Sequence, residues 1–243
     1  MGRVVFIGAG PGAADLITVR GLAHLRQAEV VLFDALTDPE LRNWAPQARW
    51  ISVGKRGFSA DSTGQQRINE LLVSEARSAT LVARLKGGDP SVFGRLEEEL
   101  QALLDAGIEC EVVPGVSSAL AAAALTQCPL TRRGVGRSVA FSTAMTQHGE
   151  LEARRSADTE VFYMAGRQLE SLALKLLEVG WSARTPALVV SRAGWPDQRI
   201  SSHSVGSLGE AVTEHAGRPT IVTVGAGAVM IGVTPSEKPV GSP

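Results

Sequence analysis

Two ionisable side chains each follow a short apolar run in the sequence. Asp34 comes directly after residues 30–33, Val-Val-Leu-Phe, and Lys55 follows residues 49–53. If both runs are adjacent parallel strands, their carboxyl ends lie at one edge of the sheet. A carboxylate and an ammonium group that converge there could perform acid–base chemistry. Each also has a simpler explanation, since Asp34 could cap a turn and Lys55 could be a solvated surface side chain.

A glycine-rich stretch, residues 84–95, has the sequence Arg-Leu-Lys-Gly-Gly-Asp-Pro-Ser-Val-Phe-Gly-Arg. It follows an apolar run at 80–83, which predicts a strand, and leads into an amphipathic helix at 92–106. Glycines let a backbone approach a ligand closely, and loops at the carboxyl ends of strands bind ligands in open α/β sheets. We therefore predict a ligand site here. Arg84, Lys86 and Arg95 are expected to serve an acidic ligand or the folding of this loop.

An earlier glycine loop, residues 8–15, indicates an alternative ligand. Gly8, Gly10 and Ala13 fit the permissive dinucleotide fingerprint, with Asp34 as the ribose-binding acid. A pyrophosphate site, however, needs a helix that starts directly after the glycines, and the plausible helix cap is Thr18. A nicotinamide cofactor is therefore the weaker interpretation, to be tested by whether NAD or another cofactor stabilises the protein.

The elements that would position these residues alternate between strand and helix in the first half of the chain. We predict strands at 3–7, 30–33, 49–53, 80–83 and 109–113, and helices after Thr18, at 63–76 and at 92–106. The last helix carries Leu96, Leu100, Leu103 and Leu104 inward, and Glu97, Glu98 and Glu99 suit the positive end of its dipole. This order predicts an α/β domain with a mainly parallel sheet.

The second half has longer predicted strands and fewer helices. The strands are expected at 138–142, 160–164, 186–190, 199–205 and 220–224, and the helices at 119–125, 169–179 and 207–215. This pattern indicates an α+β or mixed-sheet domain. We place the domain boundary after Pro114, so that the domains cover 1–114 and 115–233, and we expect residues 234–243 to be a disordered tail.

Composition excludes several classes of function. A formal net charge of −1 argues against bulk nucleic-acid binding, and no apolar run is long enough to cross a membrane. The first residues lack the layout of a secretory signal, which predicts a cytoplasmic location. Cys110 and Cys128 lie in apolar surroundings and are expected in the core. The histidine and cysteine spacing predicts no metal site.

Arginine outnumbers lysine, and several arginines fall in predicted loops. A single one of them could simply favour solubility. Together they suit a polyanionic small molecule, because guanidinium groups pair with carboxylates through two hydrogen bonds. These loop arginines are Arg56, Arg84, Arg95, Arg132, Arg133, Arg167 and Arg192.

Taken in order, these motifs resemble those of the tetrapyrrole methylases. The motifs are Val-Val-Phe-Ile-Gly-Ala-Gly-Pro-Gly at 4–12, Asp-Leu-Ile-Thr at 15–18, Gly-Lys-Arg at 54–56, Arg-Leu-Lys-Gly-Gly-Asp-Pro at 84–90, Val-Phe-Gly-Arg at 92–95, Val-Pro-Gly-Val-Ser-Ser at 113–118 and Pro-Leu-Thr-Arg at 129–132. The resemblance extends from residue 4 to about residue 224. Within the family, it is strongest to the members that methylate uroporphyrinogen III.

The resemblance implies a two-domain α/β fold with a mixed or mainly parallel sheet flanked by helices in each domain. It implies a homodimer, with the active site in the cleft between the domains of each subunit. The implied reaction transfers methyl groups from S-adenosyl-L-methionine (SAM) to C2 and C7 of uroporphyrinogen III. The products are precorrin-2 and S-adenosyl-L-homocysteine, on the way to sirohaem and cobalamin. Two alternatives stay open: a methyltransferase for a later corrin intermediate, and a catalytically silent SAM- or tetrapyrrole-binding protein.

The resemblance also assigns roles by position. Asp34 matches the family's proposed proton acceptor, and Lys55 matches its proposed proton donor. The implied SAM-binding residues are Pro11, Gly87, Gly88, Asp89, Val92, Ser117, Ser118, Met164, Ala193 and Thr220. The candidate substrate-binding residues, from spacing and from matching loops, are Arg20, Arg56, Arg95, Arg132 and Arg133. The chain departs from the family pattern at Ser91, Leu96 and Arg132, which concerns the substrate more than SAM.

Overall fold

The computed structural model describes residues 2–54, 64–145 and 151–231. The chain divides into two compact units, of which the first ends at Ser118 and the second begins at Ala119. The sequence-based boundary, after Pro114, falls in the turn just before this point. The predicted tail at 234–243 lies outside the described residues. No helix in the described ranges is long and apolar enough to span a membrane.

The first unit contains a five-stranded parallel sheet. Its strands are β1 (Arg3–Gly8), β2 (Val30–Phe33), β3 (Arg49–Ser52), β4 (Leu81–Lys86) and β5 (Cys110–Val113), in the spatial order β3-β2-β4-β1-β5. Every neighbouring pair is parallel, which confirms the predicted sheet type. All five strands therefore end on one side, and we call the residues that follow them the carboxyl edge.

Helices cover both faces of this sheet. They are α1 (Val19–Gln27), α2 (Gln65–Ser78) and α3 (Leu96–Asp105), and α4 (Ser118–Thr126) begins at the boundary between the units. Side chains on a strand alternate between faces, so Val5 packs in one cluster with Leu25 of α1, and Phe6 in another with Leu72 of α2. Burial on both faces explains why the central strands are nearly all apolar.

Strand β4 runs further than the sequence predicted. It continues through Arg84 and Lys86, and all six of its residues are buried. Arg84 lies opposite Phe6 of β1 and Leu32 of β2 in the sheet register. The placement of Arg84 and Lys86 in a loop is therefore wrong, and the loop begins at Gly87. The physical reason is that two carboxylates, the buried Glu99 and the partly exposed Asp34, compensate these cations.

The helix after this loop also differs from the prediction. It begins at Leu96, because Phe93 and Arg95 adopt positive φ angles of 51° and 52°, outside the helical range. Leu104, expected inward, is 70% exposed, whereas Leu103 is fully buried. Cys110, expected in the core, is exposed on the edge strand β5. Cys128 is buried, as predicted.

The second unit contains a mixed sheet, as predicted. Its strands are β6 (Val139–Thr143), β7 (Thr159–Tyr163), β8 (Pro186–Ser191), β9 (Arg199–Ser204) and β10 (Thr220–Gly225), in the order β6-β7-β10-β8-β9. Strands β6 and β7 pair in parallel, and the other neighbours are antiparallel. Helix α5 (Leu169–Glu178) packs on its core through Leu172 and Leu176. The helix predicted at 207–215 is a 3₁₀ segment, Val205–Ala211, followed by the short α6 (Val212–His215).

Three glycines bring the loops of the carboxyl edge into backbone contact. The Gly88 amide donates to the Gly10 carbonyl at 2.7 Å, which joins the loops after β1 and β4. A Cβ atom added to Gly115, after β5, would overlap the Gly88 carbonyl oxygen and lie 2.6 Å from Gly8 Cα. The absence of side chains at Gly8, Gly88 and Gly115 therefore sets how closely these loops approach one another.

We expect Gly115→Ala to destabilise the protein by about 1–3 kcal/mol, because the added methyl group meets backbone that cannot move aside easily. Urea denaturation measures the change. Gly64→Ala is the matched control, since an added Cβ there meets nothing within 4 Å. A Gly115→Ala variant as stable as that control would contradict the close packing of these loops.

Candidate active site

Most of the site residues that the sequence predicts in the first domain lie at the carboxyl edge of its sheet. Pro11 follows β1, Asp34 follows β2, Gly87 and Gly88 follow β4, and Ser117 follows β5. Lys55 and Arg56 lie outside the described residues. The chain just before them is close to Asp34, since a Cβ added to Gly54 would lie 3.2 Å from Asp34 Cα.

The Gly87-Gly88-Asp89 segment has a fixed shape. Gly88 has a φ angle of 72°, a left-handed conformation that favours glycine. The Asp89 carboxylate accepts a hydrogen bond from the Ser91 amide at 2.8 Å and another from the Gly115 amide at 2.9 Å. Asp89 therefore holds its own turn and ties the loop after β4 to the loop after β5. Val92 belongs to the same turn, because its amide donates to the Asp89 carbonyl at 3.2 Å.

A buried ion-pair network lies directly beneath this edge. Arg84 Nε donates to Glu99 Oε2 at 2.9 Å, and Arg84 Nη2 contacts Glu99 Oε1 at 3.2 Å. Lys86 Nζ donates to Glu99 Oε1 at 2.6 Å. Arg84 Nη2 also contacts Asp34 Oδ1 at 2.7 Å. The four residues therefore form one connected set that runs from helix α3 through β4 to the end of β2.

The protonation behaviour of this network follows from burial and charge. Burial disfavours the ionised form of Glu99, but the Arg84 and Lys86 cations outweigh it and lower the Glu99 pKa. Burial also disfavours the Arg84 cation, and Asp34 and Glu99 more than compensate, so the Arg84 pKa is raised. The pKa of Lys86 is lowered, chiefly by burial and then by the nearby Arg84. Arg84 and Glu99 are therefore a stable ion pair at neutral pH.

Glu99 is the member of this network that sequence reasoning missed. The sequence places it with Glu97 and Glu98 near the start of a helix, where acids favour the positive end of the helix dipole. A usable signal did exist: two cations next to a buried strand need a counter-charge, and three glutamates follow within one helix turn. The sequence alone could not say which of the three turns inward.

The candidate substrate-binding arginines are mostly at the surface. Arg20 is exposed on α1, and Arg95 is exposed and pairs with Glu98 through two contacts of 2.7 Å. The hydrogen bond from Arg95 lowers the pKa of Glu98. Arg132 lies in a tight turn in which its backbone bonds to Gly136 in both directions at 2.8 Å, and Arg133 is exposed beside it.

In the second unit, the topology brings Met164, Ala193 and Thr220 to one edge of the sheet. Strand β10 is antiparallel to both β7 and β8, so its first residue, Thr220, lies where those two strands end. Met164 follows β7 with a φ angle of 58°, and Ala193 follows β8. Gly166 packs against Thr220, since a Cβ there would lie 2.7 Å from Thr220 Oγ1.

The loop after β1 does not have the geometry of a dinucleotide site. Thr18 Oγ1 accepts a hydrogen bond from the Gly21 amide at 3.1 Å and caps α1, as predicted. Residues Ala14–Leu16 form a 3₁₀ turn between the glycines and this helix. Because the helix N-terminus does not follow the glycines directly, the structure argues against a pyrophosphate at this position. Within the described ranges, no cluster of His, Cys, Asp or Glu could hold a metal ion.

A family model described as Tetrapyrrole (Corrin/Porphyrin) Methylases matches residues 3–209. The chain belongs to this family. This confirms the resemblance noted in the sequence. A uroporphyrinogen-III C-methyltransferase from Cyanidium caldarium is 37% identical over 235 residues, which cover 92% of both chains. A siroheme synthase from Psychrobacter sp. is 40% identical over 90% of this chain. The chain spans about half the length of the siroheme synthases it matches, 45% of this one.

Solved structures of family members have the same fold. Uroporphyrin-III C-methyl transferase from Thermus thermophilus, complexed with S-adenyl homocysteine, has a TM-score of 0.80 and 35% identity over 93% of this chain and 98% of its own. A cobalt precorrin-4 methyltransferase has a TM-score of 0.82 and 28% identity over 93% of this chain and 96% of its own. The two-domain α/β fold predicted from the sequence is therefore confirmed.

We expect Glu99→Ala to lower the free energy of unfolding by about 3–5 kcal/mol, because it leaves two cations buried without their shared anion. Denaturant titration measures this, with Glu97→Ala, an exposed residue on the same helix, as the matched control. The Glu99 pKa is lowered in the folded state, so its contribution is present at neutral pH and lost as the pH falls. The difference between wild type and Glu99→Ala should therefore narrow in acid; a difference that persists would contradict this account.

Proposed function

We propose that this protein is a SAM-dependent C-methyltransferase that acts on uroporphyrinogen III. Methyl groups would go to C2 and C7, giving precorrin-2 and S-adenosyl-L-homocysteine. The observation that carries the proposal is the similarity to the Cyanidium enzyme across 92% of both chains. The resemblance also carries the proposal of a homodimer, and a cytoplasmic location stays a prediction.

The carboxyl edge fits a SAM molecule in its chemistry. Gly87 and Gly88 have no side chains, so a ligand can approach their backbone closely. Gly88 adopts a left-handed conformation and lies at the edge where α/β sheets bind ligands. Ser117 lies next to this backbone, since a Cβ on Gly88 would be 3.9 Å from Ser117 Cα. We assign SAM to Pro11, Gly87, Gly88, Asp89, Val92, Ser117 and Ser118 in the first unit, and to Met164, Ala193 and Thr220 in the second. The Thermus relative was solved with the demethylated product.

When bound, SAM supplies an electrophilic methyl group on a sulfonium centre. The chain's own residues would hold both reactants in line, and such positioning can contribute about 7–11 kcal/mol. Methylation of an electron-rich pyrrole carbon leaves positive charge on the ring, which is relieved by loss of a proton. Asp34, with its side chain 30% exposed at the carboxyl edge, is the proposed acceptor of that proton. Lys55 is the proposed proton donor.

The proposed substrate, uroporphyrinogen III, has eight carboxylates, and exposed arginines can bind carboxylates through charge-assisted hydrogen bonds. Arg20, Arg95, Arg132 and Arg133 are proposed to bind it, together with Arg56. In the described structure, Arg95 already pairs with Glu98. A substrate carboxylate would therefore compete with Glu98 for the Arg95 guanidinium.

A second candidate function is methylation of a later corrin intermediate. The observation that favours it is the TM-score of 0.82 with a cobalt precorrin-4 methyltransferase, although the identity is only 28%. A third candidate is a silent SAM- or tetrapyrrole-binding protein. The presence of both Asp34 and Lys55 argues against the silent alternative.

We expect incubation with uroporphyrinogen III and SAM to give a product that carries two added methyl groups and is heavier by two CH₂ units, because each transfer also removes a proton. The absorbance of the oxidised product should change as well. Mass spectrometry and absorbance spectroscopy detect it. Parallel incubations with later corrin precursors provide the comparison. Methylation of a later precursor alone would support the second candidate, and SAM binding without turnover of any tetrapyrrole would support the silent one.

We expect Asp89→Ala to weaken SAM binding roughly tenfold or more, equivalent to about 1.4 kcal/mol, while tetrapyrrole affinity changes much less. The reason is that Asp89 shapes the loop assigned to SAM through its bonds to Ser91 and Gly115. Calorimetric titration measures both affinities. Asp105→Ala, at the end of α3, is a control for loss of one carboxylate. Unchanged SAM affinity in Asp89→Ala would remove the assignment of SAM to this loop.

A further inference from the structure

The Arg84 guanidinium is held by groups on three different segments. Nε and Nη2 contact Glu99 of α3, Nη1 donates to the Leu85 carbonyl at 2.9 Å, and Nη2 also reaches Asp34. A guanidinium group is a rigid planar fork. Once its Nε side is fixed on Glu99, the direction of the contact to Asp34 is fixed as well.

Exposure differs sharply along this set of residues. The side chains of Arg84 and Glu99 are 2% and 1% exposed, and that of Lys86 is 3% exposed. Asp34 is 30% exposed and is the one member of the four that reaches the carboxyl edge. The network therefore connects the buried side chains of Arg84, Glu99 and Lys86 to one accessible carboxylate, that of Asp34.

The formal charges of the network include Asp34. Glu99 carries one negative charge between two buried cations, Arg84 and Lys86. Ionised Asp34 supplies the second negative charge and balances the set. The carboxylate that balances the set is its accessible member, placed where a ligand can reach it.

We propose that Arg84 is a positioning residue that fixes Asp34 for proton transfer, with Glu99 and Lys86 anchoring the guanidinium from the interior. This inference rests on the proposed function. In the step concerned, the pyrrole carbon uses an electron pair to bond the methyl group, and the carbon–sulfur bond pair stays on sulfur. The cationic ring then loses a proton to Asp34, and the pair that held that proton returns to the ring. Arg84 holds Asp34 Oδ1, so the proton is assigned to Oδ2.

The test compares kcat with SAM affinity in Arg84→Lys. Lysine keeps the positive charge but lacks the fork that joins Asp34 to Glu99. We expect kcat for uroporphyrinogen III to fall roughly 10- to 100-fold, while the calorimetric Kd for SAM stays within about twofold of wild type. A parallel loss of kcat and of SAM affinity would indicate a merely structural role and would overturn the proposal, as would an unchanged kcat.

Two further variants keep the test decisive. Glu99→Gln removes the anchoring charge but leaves the Arg84 and Asp34 residues themselves unmutated. It too should lower kcat with little change in SAM affinity, and it replaces Arg84→Lys if that variant fails to fold. Leu103→Ala, a fully buried residue on the same helix, is the control for lost stability and should keep wild-type kcat at a temperature where it is folded.

The same assays separate this inference from the proposed function. If wild type does not methylate uroporphyrinogen III, the proposed function fails. If Asp34→Asn keeps wild-type kcat, the role of Asp34 in that function fails, and the positioning role of Arg84 fails with it. If Asp34→Asn loses activity but Arg84→Lys and Glu99→Gln do not, only the positioning role is wrong.

Discussion

Arg84 and Glu99 form an ion pair inside the first unit, between the central strand β4 and helix α3. Removing two charges from water is costly, and their attraction offsets that cost only when geometry is good and the remaining donors are bonded. Here Nε and Nη2 of Arg84 both contact the Glu99 carboxylate, and Lys86 Nζ contacts the same carboxylate at 2.6 Å. Because Arg84 also reaches Asp34, the strand, the helix and an accessible carboxylate are held in one arrangement.

The loops above this network owe their shape to the absence of side chains. Gly8, Gly88 and Gly115 let three strand ends touch through backbone, and Asp89 links two of those loops through amide hydrogen bonds. A ligand at this edge would therefore meet backbone already fixed in position. Such preorganisation reduces the ordering that binding would otherwise require.

In the second unit, a different strand arrangement brings the candidate residues together. Its sheet is mixed, and strand β10 runs against both neighbours. The beginning of β10 therefore lies beside the ends of β7 and β8, which places Thr220 near Met164 and Ala193. In the first unit, by contrast, parallel strands bring loops together because all of them end on the same side. Both arrangements follow from strand direction and not from distance along the chain.

The sequence by itself determined the family, both sheet types, the order of elements and the position of Asp34 at a strand end, because apolar runs, glycines and caps act over short distances along the chain. It could not determine where β4 ends, since a pattern-based strand stops at the first charge, whereas Arg84 and Lys86 are buried within it. Only the tertiary structure decided that Glu99 turns inward to meet them. The physical reason is that a buried charge depends on its partner in space, and that partner lies on another element.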